Sequence, residues 1–251
     1  MRIGDMFTCC DETSGSQLEP VLELQEKSGE LAALLQLLHH PPSPPLELPR
    51  DNKFDPVVYD PASIIPLPLL KPLLSTLADK YSLEEEIVDV LKVHLLAHAP
   101  AHSLEVYGFA SLHGMEWEVS GASQYVLPMA SYRFEEVKVI PTVAAYHNLV
   151  RLQDFRVKAL RDLLLGEELF PHGYGKCQSH WEMSNEKWDR QRKALIGRIE
   201  SATDVAGEMD ALTDTFQDCK MCHKACTAAV EMLAYKCRRL PRRLDQLPNL
   251  Y

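Results

Sequence analysis

The chain has few aromatic residues and an excess of acidic over basic side chains. Phe, Trp and Tyr make up 8% of its 251 residues, and 36 Asp and Glu against 26 Lys and Arg give a formal net charge of −10. Binding to nucleic acid or to an anionic membrane needs a dominant positive field, so this balance argues against both functions. The apolar fraction of 46% is that of an ordinary globular protein with a real core.

The sequence also lacks a secretion signal and a long unbroken apolar stretch. Residues 1–10 carry no basic segment followed by an apolar one, and three prolines and a lysine interrupt the most apolar segment, residues 64–77. The seven cysteines are odd in number and crowded toward the C-terminus, unlike a secreted disulfide framework. We therefore expect a cytoplasmic or nuclear protein without a membrane partner.

Motifs of common enzymes are missing as well. There is no glycine-rich phosphate loop, no Gly-x-Ser-x-Gly elbow and no His-Glu-x-x-His helix. Cys177 with His180 is the one pair that could supply a nucleophile and its base, but no substrate-shaping loop accompanies it. The sequence predicts a protein that is not an enzyme.

Leucine spacing predicts helices in the first hundred residues. One set recurs at the i, i+3, i+4, i+7 spacing of a helix with one buried face: Leu31, Leu34, Leu35 and Leu38. This helix is expected to begin at Ser28 or Gly29 and to end before Pro41. Ser82 and Glu85 predict a capping box for a later helix over residues 83–99.

Four segments of this region together resemble the BTB (POZ) domain, in the form found in fungal BTB proteins. Asp5-Met6-Phe7 is similar to the end of the family's second helix, and residues 21–24 to its third strand. Residues 29–39 are similar to its next helix, and Ala78-Asp79-Lys80-Tyr81 to its A-x-K-Y signature between the last two helices. The resemblance implies a mostly α, α+β fold with one or two short strands.

The departure from the family lies at the N-terminus. A complete BTB domain begins with two strands and a helix that carry an F-x-V-H-x-x-x-L region, which nothing before Met6 supplies, so we expect the chain to start within the domain. Family members commonly pair through that first helix. The resemblance implies protein–protein association, including self-association, and in some relatives delivery of a substrate to a cullin-type ubiquitin ligase. The usual dimer contacts cannot be assigned to residues here.

Three regions follow from these patterns. Residues 1–100 are predicted to be a partial BTB/POZ-like domain with a proline-rich insertion at residues 40–61, which is either a surface loop or a polyproline ligand. Residues 57–60 are expected to pair only locally. Residues 101–171 are predicted to be a helical companion block, in which Ser103 and Thr142 cap helices and Gly166 ends the longest one. Residues 172–251 form a C-terminal helical region.

The C-terminal region contains two short Cys/His motifs. Cys177-x-x-His180 and Cys219-x-x-Cys222 each allow two ligands to converge from one turn of backbone, and two such motifs can close a tetrahedral zinc site. Gly175 suits the tight turn that the first motif needs. A closed four-ligand set makes the predicted zinc structural rather than catalytic. Three further residues are reserve ligands: His172, His223 and Cys226.

Two other interpretations of these cysteines stay open. Cys219, Cys222 and Cys226 lie at i, i+3, i+7, so a continuous helix would present them as one buried apolar stripe. Cys219 and Cys222 could also form a redox pair. The adjacent Cys9 and Cys10 are expected to have no function, because side chains of neighbouring residues diverge.

Two clusters of cationic or titratable residues are expected to be solvated. His94, His98 and His102 recur every four residues, but Pro100 interrupts the helix between them. The C-terminal basic cluster suits a helix end, a nuclear-import signal or a contact for an acidic partner, and its members are Lys236, Arg238, Arg239, Arg242 and Arg243.

The sequence as a whole predicts a non-catalytic scaffold or adaptor of BTB type, with other proteins as partners. One alternative is a zinc-containing nuclear regulatory protein that contacts DNA or acidic partners through its basic C-terminus, although the acidic composition opposes DNA binding. A Cys/His enzyme is the other.

Overall fold

The structure is a computed structural model that describes residues 25–50, 57–173 and 175–248. The chain divides into two compact units, residues 1–98 and 99–251. The mostly helical prediction is confirmed for the described residues. In the first unit the α-helices are α1 (Ser28–His39), α2 (Leu67–Pro72), α3 (Ala78–Lys80) and α4 (Glu85–Ala97). In the second they are α5 (Ser103–Leu112), α6 (Glu116–Ser123), α7 (Phe134–Val137), α8 (Val143–Gly166), α9 (Trp181–Ile196), α10 (Val205–Asp210) and α11 (Lys220–Arg238).

The short strands are not seen. Residues 21–24 lie outside the described residues, and residues 57–60 contribute only one isolated antiparallel bridge, between Glu47 and Tyr59. The Ser63 hydroxyl explains why the bridge does not lengthen on one side. It accepts the N–H of Leu46 at 2.9 Å and donates to the carbonyl of Asp60 at 2.7 Å, so it replaces the next ladder bond.

The leucine-rich segment Pro61–Lys80 is twenty residues long with a mean hydropathy of 1.3, so by length and composition alone it could cross a membrane. In the structure it is broken into a 3-10 turn (Pro61–Ser63), α2, a π-helical turn (Leu73–Leu77) and α3. Leu70, Leu73 and Leu77 are almost fully buried, and the segment packs on α1 and α4. A soluble core helix has the same features, and the absence of a membrane partner stays a prediction.

The predicted capping box at Ser82 is wrong. Ser82 has a left-handed backbone, with φ of 47°, and α4 begins only at Glu85. The N–H of Ser82 donates to Asp79 O at 3.3 Å and that of Leu83 to Ala78 O at 3.0 Å, which is the Schellman pattern that ends the preceding helix. The serine therefore closes α3 instead of opening α4.

The solvated-row interpretation is wrong for His94. Its side chain is 1% exposed, its Nε2 donates to Ser43 O at 3.0 Å, and its Nδ1 accepts the N–H of Ile65 at 3.2 Å. His98 Nε2 lies 2.8 Å from Ile65 O. These two histidines attach α4 to Ser43, near the start of the proline-rich insertion, and to Ile65, just after its end.

One core cluster of the second unit joins the C-terminal half of α8 to α9, α10 and α11. Trp188, Leu164, Met209 and Leu233 are each 1% exposed or less within it. The cap of α8 is as predicted, since Thr142 Oγ1 accepts the N–H of Ala145 at 3.1 Å, and the helix ends at Gly166. Ser103 does not cap α5. It is the first helical residue, and its hydroxyl lies 3.3 Å from Tyr132 OH.

The side chains of this core cluster come from residues on both sides of position 171. The predicted division at that position, into a companion block and a C-terminal region, stays a prediction. For the candidate site, the fold holds the first residues of α9 and α11 in fixed positions relative to each other. The beginnings of α9 and α11 both lie beside this core, because Cys177 and Cys222 belong to it.

Candidate metal centre

The structure brings the four predicted ligands together at the N-terminal ends of two helices. Cys177 precedes α9 and His180 is its N-cap, while Cys219 is the N-cap of α11 and Cys222 lies in its first turn. The four ligand atoms all lie within 4.8 Å of one another. A group of this kind can hold a metal ion.

Two of the separations match a tetrahedral zinc shell closely. Cys177 Sγ lies 3.7 Å from Cys219 Sγ and 3.6 Å from His180 Nδ1. Zinc–sulfur bonds of about 2.3 Å and zinc–nitrogen bonds of about 2.05 Å at tetrahedral angles place two sulfurs about 3.8 Å apart and sulfur and nitrogen about 3.6 Å apart. A disulfide needs about 2.05 Å between its sulfurs, so Cys177 and Cys219 are separate thiols.

Burial across the cluster is uneven. Cys177 is 6% exposed and Cys222 1% exposed, while Cys219 is partly exposed and His180 is exposed. The cluster therefore faces the core on one side and solvent on the other, so an ion has a path to it.

The pKa values of the two thiols in the second motif, Cys219 and Cys222, are shifted in opposite directions. The backbone N–H of Cys222 is the main cause that lowers the pKa of Cys219 to about 6, and the His180 side chain adds to it. Burial raises the pKa of the Cys222 thiol to about 11, against a hydrogen bond of 3.3 Å donated by the Ser184 hydroxyl. A buried sulfur of this kind becomes a thiolate readily only beside a cation.

Local backbone geometry shapes the first motif. Gly175 has φ of 70°, which a residue with a side chain adopts only with strain, and it permits the turn that leads into Cys177. The Trp181 N–H then donates to Cys177 O at 3.1 Å, so α9 begins directly over the motif. Lys176 Nζ lies 3.5 Å from the centre of the Trp181 ring.

Polar contacts at the end of α8 fix α9 and α11 in place. Trp188 Nε1 donates to Glu167 O at 3.1 Å, and Arg192 donates to the same carbonyl at 3.0 Å and to Leu165 O at 2.9 Å. Lys236 on α11 pairs with the Glu167 carboxylate at 2.5 Å. Leu165 and Glu167, at the end of α8, thus bind α9 and α11, the two helices that carry the candidate ligands.

The reserve ligands do not join the cluster. Cys226 is fully buried in the core, where its Sγ lies 3.7 Å from Thr213 Oγ1, and His223 is not a member of the ligand group. The side chain of His172 lies outside the described residues. The buried-stripe interpretation therefore holds for Cys222 and Cys226, but Cys219 precedes the helix and turns toward Cys177.

Sequence reasoning missed Ser184, whose hydroxyl donates to Cys222 Sγ. Ser184 follows His180 by one helical turn, so the sequence predicts that it lies near the motif. A serine in a helix nevertheless carries no specific signal for a contact with sulfur. The N-terminal cysteines, Cys9 and Cys10, lie outside the described residues.

The C-terminal basic cluster is partly used inside the chain. Lys236 pairs with Glu167, and the Arg239 guanidinium contacts the hydroxyl and the ring of Tyr235. Arg243 pairs with Asp245 at 2.9 Å and lies over the Trp117 ring. Lys236 thus joins α11 to the end of α8, and Arg243 joins the C-terminal segment to α6. The prediction of an import signal or acidic partner is not tested by this arrangement.

Comparison of the chain with models of protein families, with curated proteins and with solved structures finds no match.

Proposed function

We propose that the protein is a non-catalytic scaffold or adaptor whose second unit is stabilised by a structural zinc ion at Cys177, His180, Cys219 and Cys222. The observation that carries the proposal is the convergence of these four ligand atoms within 4.8 Å. Three sulfurs and one imidazole nitrogen are a donor set that zinc prefers.

A structural role follows from the number of ligands. Four protein ligands fill a tetrahedral shell and leave no position for water or substrate, whereas catalytic zinc sites keep one position open. The zinc would supply only a positive charge and four bonds. The residues do the rest: they tie the start of α9 to the start of α11, and Ser184 orients the Cys222 sulfur.

Cobalt substitution tests the metal site in the folded protein. We expect Co²⁺ added to metal-free full-length protein to give the absorption of a tetrahedral thiolate site, and Zn²⁺ to displace it. Cys219→Ser removes a ligand and should weaken that spectrum strongly. Cys226→Ala is the matched control, because Cys226 is a nearby buried cysteine outside the ligand group. A wild-type spectrum of octahedral aqueous cobalt would contradict the proposal.

The adaptor part of the proposal is supported by the BTB-like segments of the first hundred residues and by the closed ligand set. BTB relatives act through protein association, so we propose a protein partner, with self-association or a cullin-type ligase as the specific candidates. Light scattering of the full chain tests self-association, and binding of a purified cullin N-terminal domain tests the other.

A matched variant keeps this test interpretable. Leu70 is fully buried in the first unit, so Leu70→Asp should unfold the BTB-like region and abolish partner binding. Leu112→Asp is the control, since Leu112 lies on α5, outside the BTB-like segments, and is 65% exposed. A monomeric chain that shows no cullin binding, or binding that survives Leu70→Asp unchanged, would contradict these assignments.

A further inference from the structure

The second unit contains a small cavity lined by two arginines, well separated in sequence from the metal ligands. Its volume is about 250 Å³, and its lining includes Arg156 of α8, Arg242 of the C-terminal segment and Asp204 before α10. The protein as a whole is strongly acidic, with a net charge of −10, so a cavity with two cations and one carboxylate is locally unusual.

Arg156 is a buried cation without an acidic partner. Its side chain is 8% exposed, and among the described residues no carboxylate lies within ion-pairing distance of it. Its Nε donates to Ser201 O at 2.7 Å and its Nη1 to Pro241 O at 3.1 Å. Two of its five N–H groups are thus used, and the other three have no acceptor among the described residues.

Burial of a charge is costly unless an opposite charge compensates it. Carbonyl oxygens satisfy hydrogen bonds but supply no negative charge. Desolvation and, to a smaller extent, the positive charge of the neighbouring Arg242 together lower the pKa of Arg156 to about 10. The two guanidinium groups therefore repel each other in the absence of an anion.

The other charged group of the cavity is already committed. Asp204 Oδ1 accepts the N–H of Gly207 at 3.1 Å as the N-cap of α10, and it pairs with neither arginine. The Arg242 guanidinium makes no hydrogen bond or ion pair to a described residue, although its backbone N–H donates to Gln246. The cavity lining thus combines a buried guanidinium with unused donors and an exposed guanidinium that makes no hydrogen bond or ion pair to a described residue.

We infer that this cavity binds a small tetrahedral oxyanion of the phosphate class, held between the Arg156 and Arg242 guanidinium groups. Arginine forks match phosphate oxygens in pairs, and two of them balance a dianion. The volume lies below that of typical pockets for drug-sized ligands, which run from about 300 to 1,000 Å³, so the ligand is phosphate itself or a small phosphomonoester. This site is independent of the proposed zinc and adaptor roles.

Calorimetric titration of the full-length protein with inorganic phosphate tests the inference, with sodium chloride used to keep ionic strength constant. Direct binding is measured because phosphate also stabilises proteins by general exclusion from their surface. We expect saturable binding with one site per chain. A parallel titration with a small phosphomonoester such as glycerol phosphate decides whether the site accepts a substituent.

Arg242→Gln is the informative variant, because the Arg242 side chain makes no hydrogen bond or ion pair to a described residue. It should weaken phosphate binding roughly ten-fold or more, as expected for loss of charge-assisted hydrogen bonds. Without phosphate, its unfolding temperature should equal or exceed that of the wild type, since a repulsion is removed. Arg190→Gln makes the same charge change at an exposed ion pair on α9 and should bind phosphate normally.

A second variant probes the buried arginine. Arg156→Lys keeps the positive charge but loses the paired donors, so phosphate binding should fall while the protein stays folded. Absence of saturable phosphate binding in the wild type, or equal affinity in Arg242→Gln and Arg190→Gln, would overturn the inference.

Discussion

At the scale of single residues, neighbouring cysteines of this chain lie in very different environments. Cys219 and Cys222 are three residues apart, yet the pKa of one is lowered to about 6 and that of the other is raised to about 11. Cys226, one turn further along, is a core residue. Position relative to the helix start, and not the side chain alone, decides which cysteine is available to a metal.

His94 gives the first unit a predictable response to acid. Burial lowers its pKa, so the folded state binds fewer protons than the unfolded state near and below the ordinary histidine pKa of about 6.5. The stability contributed by neutral His94 is complete above that pH and is lost as the pH falls toward the lowered folded-state pKa. Denaturant unfolding of the full chain at a series of pH values measures it.

The variant comparison isolates this histidine from the other nine. His94→Gln should be less stable at neutral pH, because its contacts to Ser43 and Ile65 are lost, and it should show a shallower decline between neutral pH and pH 5. His39→Gln is the control, since His39 is exposed at the end of α1. A decline of equal steepness in wild type and His94→Gln would contradict the assignment.

Gly108 marks a close approach of two backbone segments. A Cβ at this position would lie 2.3 Å from the carbonyl oxygen of Val139, and backbone cannot move aside cheaply. Gly108→Ala should destabilise the protein by about 1–3 kcal/mol, as overpacking does in other cores. Gly166→Ala, with nothing within 4 Å, should change stability by less than about 0.5 kcal/mol. Equal effects in chemical denaturation would show that the contact is not rigid.

At the scale of helices, α11 combines two roles along its length. Its first turn and N-cap supply two candidate ligands, and the rest of its buried stripe enters the core through Cys226, Leu233 and Cys237. A metal ion bound at this site would therefore fix a helix that packing already positions. Loss of zinc should loosen the starts of α9 and α11 before it disturbs the centre of the core.

The junction between α3 and α4 is a second test at this scale. Ser82 holds a left-handed conformation that costs a residue with a side chain about 1 kcal/mol or more, and that glycine adopts freely. Ser82→Gly should raise the free energy of unfolding by roughly 1 kcal/mol. Ser82→Ala gains nothing, because alanine keeps the Cβ. If Ser82 were instead an N-cap of α4, both changes would destabilise the protein.

The sequence predicts an element well when the interactions that define it are local, and poorly when they join residues far apart along the chain. The ends of α1 and α8 follow from Pro41 and Gly166, and the Thr142 cap from local hydrogen bonding. The environment of His94 depends on Ser43, which is 51 residues away. No pattern near His94 reports such a contact, so its burial could not be predicted.

The candidate site likewise combines local features that the sequence predicts with distant contacts that it does not. Each half of the ligand set is a local motif, so both halves are visible in the sequence, but their meeting depends on contacts such as Lys236 with Glu167, 69 residues apart. The two arginines of the anion cavity carry no motif. Arg156 lies in the middle of α8, where its helix position alone suggests an ordinary exposed residue.

At the scale of the whole molecule, two helical units carry separate functions in this account. The first unit contains the segments from which we propose association with protein partners, and the second contains the candidate metal centre and the proposed anion cavity. The two candidate sites differ in their chemistry: the metal centre offers three sulfurs and an imidazole, whereas two guanidinium groups line the cavity.

Native mass spectrometry of the purified full-length chain measures whether zinc binds and how many ions are bound. We expect one zinc ion per chain in the wild type, one in Cys226→Ala, and none in a variant that combines Cys177→Ser with Cys219→Ser. Zinc binding releases protons from the thiols, so acidification should also remove the ion. A wild-type protein that carries no zinc after purification and reconstitution in excess zinc would contradict the account.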